Sequence, residues 1–204
     1  LLADGLGLYA IDVDQLRAVR PDLIVTQDQC DVCAVSYDTV RAAVRQLAHP
    51  GTEIVSLRPA RLDDVWRDVE IVAEAAGIAA HGRAVAEGLR TRVAALAERT
   101  AVDGGEYHSC AITAAGGLSG LAAPGIHSAW LDWQALVDDH PDVLCAMPCG
   151  FTLERTAAEL SVSLREPRWQ ELSAVRGGRV FAVDGNSYFN RPGPRLAKSA
   201  EILA

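Results

Sequence analysis

The chain of 204 residues has a single lysine, Lys198, and a single methionine, and aromatic side chains make up only 5% of it. Almost all positive charge is therefore arginine, and the formal net charge is −8. No basic stripe is present, which excludes a phosphate backbone as the main partner, because nucleic-acid affinity comes largely from clustered Lys and Arg. No run of about 18 uncharged apolar residues occurs, so no segment reads as a membrane-spanning helix. No secretory signal is visible, and the chain begins at Leu1 without Met. Five cysteines, an odd number, do not make a disulfide scaffold for a chain of this length. The motifs of several enzyme classes are missing too: no P-loop, no GxGxxG after a strand, no GxSxG and no HExxH. Acidic pairs such as Asp63-Asp64 and Asp138-Asp139 read as solvated surface or helix-cap charge.

What is present is a packed globular composition, with half the residues hydrophobic. The most informative feature is an internal echo. IDVDQLRAVRPDLIVTQ starts at Ile11 and LDWQALVDDHPDVLCAM starts at Leu131, an ungapped offset of 120 residues. Asp12 matches Asp132, Leu16 matches Leu136, Pro21 matches Pro141 and Asp22 matches Asp142. In each copy an Asp can cap a short helix, a Pro ends it, and a short apolar strand follows, of the kind buried in parallel sheets. A second strand–helix pair follows each copy: TEIVSLRPARLDDVWRDVEIVAEAAG, then GRVFAVDGNSYFNRPGPRLAKSAEILA. Each half thus reads helix, strand, helix, strand, helix. The fold class expected is α/β: two small Rossmann-like lobes with mainly parallel sheets. Between them Val85, Leu89, Val93 and Leu96 share one helical face, predicting a helix from about Ala79 to Arg99, roughly 30 Å long, that joins the lobes. The expected organisation is an N-terminal lobe over 1–78, a bridging helix over 79–102 and a C-terminal lobe over 103–204.

In open α/β sheets ligands bind beyond the carboxyl ends of the strands. Asp22 to Thr26 reads as a strand, which puts Gln27 to Cys33 at its carboxyl end, with Gln29, Cys30, Asp31 and Cys33 as candidate contacts. Asp142 to Met147 reads as the matching strand, which puts Pro148, Cys149, Gly150 and Phe151 at the matching end. The CDVC loop has three readings. Cys30 and Cys33 are a redox pair, if a following helix N-terminus stabilises a thiolate. They are half of a zinc site, if Cys149 and His108 or Cys110 complete it. Or they are small hydrophobes on a binding rim. In Asp184 to Leu196, Tyr188 and Phe189 offer flat faces, Arg191 offers a fork of donors, and Pro192 to Pro194 reads as the start of the last helix. The alternative there is a turn whose aromatics pack on the lobe. Trp130, beside the expected Asp132 cap, is a further candidate contact. Trp66, Trp133 and Trp169 read as core or packing residues.

RPDLIVTQDQCDVCAVSYDTV, PCGFTLERTAAEL, PRWQELSAVRGGRVFAVDGN and SYFNRPGPRL resemble the cobalamin-binding, vitamin B12-type branch of the metal-chelate class of ABC-transporter substrate-binding proteins. That resemblance implies two lobes joined by a long helix, a class III periplasmic-binding-protein-like fold. It implies a non-enzyme that holds cobalamin, or a related corrinoid or metal chelate, in a cleft for import, with no covalently bound cofactor. Tyr188, Phe189 and Trp130 would supply apolar contact; Gln29, Asn186 and Arg191 would reach the ligand's polar side chains. The implied partners are the small-molecule ligand and an ABC permease, with no nucleic acid and a monomeric state. Family members carry a further strand and loop ahead of Tyr9, so an N-terminal element is expected to be missing. If that element carries a signal, the protein is a periplasmic or extracellular lipoprotein; otherwise it is cytoplasmic. In the middle, GEYHSCAITAAGGLSGLAAPG is shorter than the family's tryptophan-containing loop. The alternative function is a cytoplasmic thiol- or metal-handling protein, chelatase-like or redox, that uses the CDVC loop.

Overall fold

The computed structural model describes residues 11–27, 37–46, 51–100, 112, 115–118, 121, 131–190 and 193–204. The chain divides into two compact units, Leu1–Leu89 and Arg90–Ala204.

In the first unit the echo behaves as its residues dictate. The Asp12 side chain accepts a hydrogen bond from the Gln15 backbone N–H at 2.9 Å and caps helix α1, Val13–Val19. The helix ends on Arg20 in the left-handed conformation, φ 49°. Pro21 explains that ending, because the residue before a proline is disfavoured in the right-handed helical region. Strand β1, Leu23–Gln27, follows and pairs in parallel with β2, Glu53–Leu57, with Leu23 opposite Glu53 and Gln27 opposite Leu57. The Thr52 hydroxyl donates to the Pro21 carbonyl at 2.8 Å and fixes the register at the amino end. Helix α2, Tyr37–Gln46, turns Val40 and Ala43 inward. Helix α3, Leu62–Ala75, starts where the Asp64 carboxylate reaches back to accept the Ala60 and Arg61 N–H groups at 3.0 Å each. It buries Leu62, Val65 and Trp66, with Trp66 only 2% exposed. Trp66 is the largest apolar side chain fully buried in this unit and anchors α3.

A Schellman motif ends α3. Gly77 sits at φ 73°; its N–H donates to the Glu74 carbonyl at 2.9 Å, and the Ile78 N–H donates to the Ala73 carbonyl at 2.8 Å. Helix α4 then runs from Ala79 to Thr100, one residue past the expected end. Gly82 lets it lie against α3, because a Cβ there would come within 2.2 Å of the Ala73 Cβ. Leu89, Val93 and Leu96 are buried, as their spacing predicts, together with Ala86 and Ala97. The boundary between the two units falls inside this helix.

The second unit repeats the grammar. Asp132 accepts from the Gln134 N–H at 3.1 Å and caps α5, Trp133–Asp139. This helix ends on His140, again at φ 49° and again before a proline. Strand β3, Leu144–Ala146, pairs in parallel with β4, Val180–Ala182. The Ser173 hydroxyl donates to the Pro141 carbonyl at 2.8 Å, as Thr52 does to Pro21. Between the strands lie α6, Leu153–Ser163, a 3-10 turn, Pro167–Glu171, and the short α7, Ser173–Arg176. After β4 come a π-helical turn, Gly185–Phe189, and α8, Leu196–Leu203. Leu172, Ala174, Ala197 and Ala200 form the core here. Arg92 of α4 donates twice to Glu201 Oε1, at 3.1 and 2.6 Å, and ties α8 to that helix.

Three expectations need correction. Strand β1 is as long as the expected Asp22–Thr26 but starts one residue later, and β3 is shorter than the expected Asp142–Met147, because Asp22, and Asp142 with its neighbour Val143, belong to the turns after the prolines. The strands are not fully buried: Val25 is 46% and Phe181 51% exposed. Among the described residues each sheet has only two strands, a narrow footprint for covering helices. Finally, the last helix begins at Leu196 rather than at Pro192–Pro194; Gly193 and Pro194 lie in the turn before it.

Candidate functional site

In the second unit the carboxyl ends of β3 and β4 are built into one piece. Past β3 the chain runs through Met147 and Pro148 into a turn at Cys149 and Gly150. Gly150 takes φ 77°, which glycine adopts freely, and the Phe151 N–H closes the turn on the Pro148 carbonyl at 3.2 Å. Thr152 then caps α6, its hydroxyl accepting from the Arg155 N–H at 3.4 Å. Past β4, the Val183 N–H still donates to the Ala146 carbonyl, at 3.0 Å. Asp184 caps the π-helical turn by accepting from the Ser187 N–H at 2.8 Å. This bond, before any other cause, holds the Asp184 carboxyl below the ordinary aspartate range.

The two loops are locked together. The Asn186 N–H donates to the Phe151 carbonyl at 3.2 Å, and the Asn190 side-chain amide donates to the Pro148 carbonyl at 3.0 Å. Gly185 makes the fit possible: a Cβ there would lie 2.6 Å from the Pro148 oxygen and 2.8 Å from the Met147 oxygen. From behind, Ser199, fully buried on α8, donates its hydroxyl to the Tyr188 carbonyl, and Arg195 donates to the Ser187 carbonyl at 3.2 Å. Backbone polar groups of both loops are thereby satisfied inside the unit.

Of the sequence-predicted contacts, Cys149, Gly150, Phe151, Asn186, Tyr188 and Phe189 belong to this assembly. Cys149, Gly150 and Asn186 are exposed; Phe151, Tyr188 and Phe189 are half-buried. Gln29, Cys30, Asp31, Cys33, Trp130 and Arg191 lie outside the described residues, as do His108 and Cys110. Cys145 is half-buried, and burial pushes its thiol pKa up, opposite to what an attacking thiolate needs. Among the described residues no group of three His, Cys, Asp or Glu side chains is placed to hold a metal ion.

Two features escaped the sequence reading. One is the π-helical turn itself, since GNSYF has no repeat that announces it. The other is Arg155, whose guanidinium carbon lies 3.7 Å from the centroid of the Phe151 ring. The signal was present in TLER: a Thr cap favours Glu three residues on, and here that place holds Arg. Elsewhere Trp133 and Trp169 pack edge to face at 5.3 Å, with Arg168 over Trp133 at 4.8 Å. Both are half-buried packing residues rather than full core.

Comparison with protein-family models gives no match, and neither does comparison with curated protein sequences. Solved structures do match. The periplasmic heme-binding protein RhuT from Roseiflexus sp. RS-1 superimposes with a TM-score of 0.70 at 21% identity, covering 95% of this chain and 78% of that one. An ABC-type Fe3+-hydroxamate transport system protein from Saccharomonospora viridis DSM 43017 gives 0.67 at 16% identity, covering 98% and 73%. The periplasmic vitamin B12 binding protein BtuF of Vibrio cholerae gives 0.58 at 21% identity, covering 95% and 76%. Identities this low carry the fold alone. That fold is α/β, with parallel strands and a long helix, as in class III periplasmic binding proteins.

Proposed function

We propose that this chain is a solute-binding protein for a metal chelate of macrocycle size, cobalamin or another corrinoid first among them, which it delivers to an ABC permease. The observation that carries the reading is the locked pair of loops at the carboxyl ends of β3 and β4, where α/β proteins bind ligands. A rim already fixed by its own hydrogen bonds loses little further entropy when a ligand docks. It offers the half-buried rings of Phe151, Tyr188 and Phe189 beside the exposed amide of Asn186, a mixture suited to a ligand with an apolar face and a polar edge. The solved structures of like fold support a binding and transport role: they are a periplasmic heme-binding protein, a periplasmic vitamin B12 binding protein and an Fe3+-hydroxamate transport protein. The vitamin B12-type motifs of the sequence favour a corrinoid among these. Gln29, Cys30, Asp31, Cys33, Trp130 and Arg191 are proposed as further contacts on the same chemical grounds as before. The chemistry is binding and release, with no catalytic group assigned.

The test is a titration of purified protein with cyanocobalamin, aquocobalamin and hemin, followed by absorbance and calorimetry. Saturable one-to-one binding of one of them is expected. Linear, unsaturated signals with all three up to high micromolar concentration would remove the proposal. A spectral shift confined to the aquo form would point to a coordinating cysteine or histidine.

A further inference from the structure

Arg155 stands where local chemistry favours the opposite charge. It occupies the third position of α6 after the Thr152 cap, in the first helical turn, where the helix dipole favours carboxylates and disfavours cations. The side chain is exposed, yet it lies with its guanidinium carbon 3.7 Å from the Phe151 ring centroid. Phe151 is itself held, through its carbonyl, by the Asn186 N–H across the locked loops. Among the described residues, no carboxylate pairs with the Arg155 guanidinium and no acceptor takes a hydrogen bond from it. Among the described residues the charge is therefore positioned by an aromatic ring rather than by a counter-ion. An aromatic ring attracts the cation through its face but accepts little from its N–H groups. The donor fork is left available for an oxyanion.

We propose that Arg155, steadied on Phe151, is a specificity-determining residue that binds an oxyanion on the ligand, a peripheral carboxylate or phosphate next to an apolar face. The inference rests on the binding reading above and deepens it by naming the ligand's charge. A lysine could not replace it fully, since a point charge on a flexible stem makes one bond where the fork makes two. A ligand without an oxyanion would gain less from Arg155, since a neutral acceptor takes a weaker hydrogen bond.

Two pairs of probes separate the sources of the oxyanion. Hemin carries two carboxylates and hemin dimethyl ester carries none. Cyanocobalamin carries a phosphodiester and dicyanocobinamide does not. Each is titrated into the wild-type chain, Arg155→Met and Arg155→Lys, after circular dichroism has shown equal folding. The wild type is expected to prefer the oxyanion-bearing member of whichever pair it binds. Arg155→Met should weaken that member about tenfold to a hundredfold, the scale of a lost charge-assisted hydrogen bond. It should leave the neutral member within about twofold, and Arg155→Lys should fall between. The preference lost in the hemin pair identifies a carboxylate; in the cobalamin pair, a phosphate. If Arg155→Met binds both members as the wild type does, or weakens both equally, this inference fails and the binding reading stands. If the wild type binds none of the four probes, both fail together.

Discussion

The two units share an entrance and differ at the exit. Each enters its sheet by an Asp-capped seven-residue helix, a left-handed residue before proline, and a hydroxyl donated to the proline carbonyl at 2.8 Å from a residue ahead of the second strand. Arg20 and His140 adopt the same φ, 49°, although they share neither size nor charge. The proline after each keeps it out of the right-handed helix, and both take the left-handed conformation common at helix ends. At the other end, the second unit carries a turn with no counterpart in the motif: Gly185–Phe189, welded to Pro148 and Phe151. Among the described residues the repeated part of the motif builds the frame, and the unrepeated part forms the locked loops proposed as the binding rim. Function can then diverge on one frame without disturbing the part that folds it.

The cores differ as well. The first unit buries one large side chain, Trp66, alongside Leu62 and Val65 of the same helix. The second spreads its burial over Leu172, Val93, Leu96 and a set of alanines, with Thr156 buried too and Ser199 fully buried as a hydrogen-bond donor. Trp66→Ala should therefore be the most damaging single change, about 3–5 kcal/mol, through lost transfer energy and a cavity. Hydrogen exchange should place the loss in residues 11–89, and equal loss of protection in residues 90–204 would break the distinction between the units. Next in size is Gly185→Ala. The added methyl meets two backbone oxygens, which cannot move aside as a side-chain tip can. A cost of about 1–3 kcal/mol is expected, with faster exchange at Met147–Phe151 and Asn186–Asn190. Urea unfolding with exchange mass spectrometry measures both.

Smaller changes sharpen the shared part. Arg20→Gly and His140→Gly should each stabilise by about 0.5–1 kcal/mol, because glycine takes the left-handed conformation without the Cβ penalty. Similar gains from two residues so unlike in charge would show that the turn, not the side chain, sets the energy; a gain in one copy only would contradict the equivalence. Acid should act in one place on the locked loops. Asp184 is depressed by its bond to the Ser187 N–H, so its contribution is complete above the ordinary aspartate range and fades as pH falls through its folded value. Asp184→Asn, which keeps an acceptor but cannot titrate, should flatten that part of the stability–pH curve.

Much of the frame was legible in the sequence because it rests on local rules. Asp12 and Asp132 are caps, Pro21 and Pro141 are stops, and the apolar spacing of Leu89, Val93 and Leu96 marks a buried stripe. The site was legible only in part. Phe151, Asn186, Tyr188 and Phe189 could be placed at strand ends by counting. What joins them could not: the Gly185 contact with Pro148 spans 37 residues and depends on two backbones meeting, which no local pattern encodes. Arg155 was missed for a different reason. A deviation from a capping preference stands out only when its side chain is found on a ring.

The measurement that tests the central claim most directly is hydrogen exchange of the wild-type chain with and without a saturating chelate, cyanocobalamin or hemin. The account predicts added protection at Met147–Phe151 and Gly185–Asn190 together, since the two loops form one rim. Saturable binding that leaves both segments unprotected, or no saturable binding of either chelate, would contradict it.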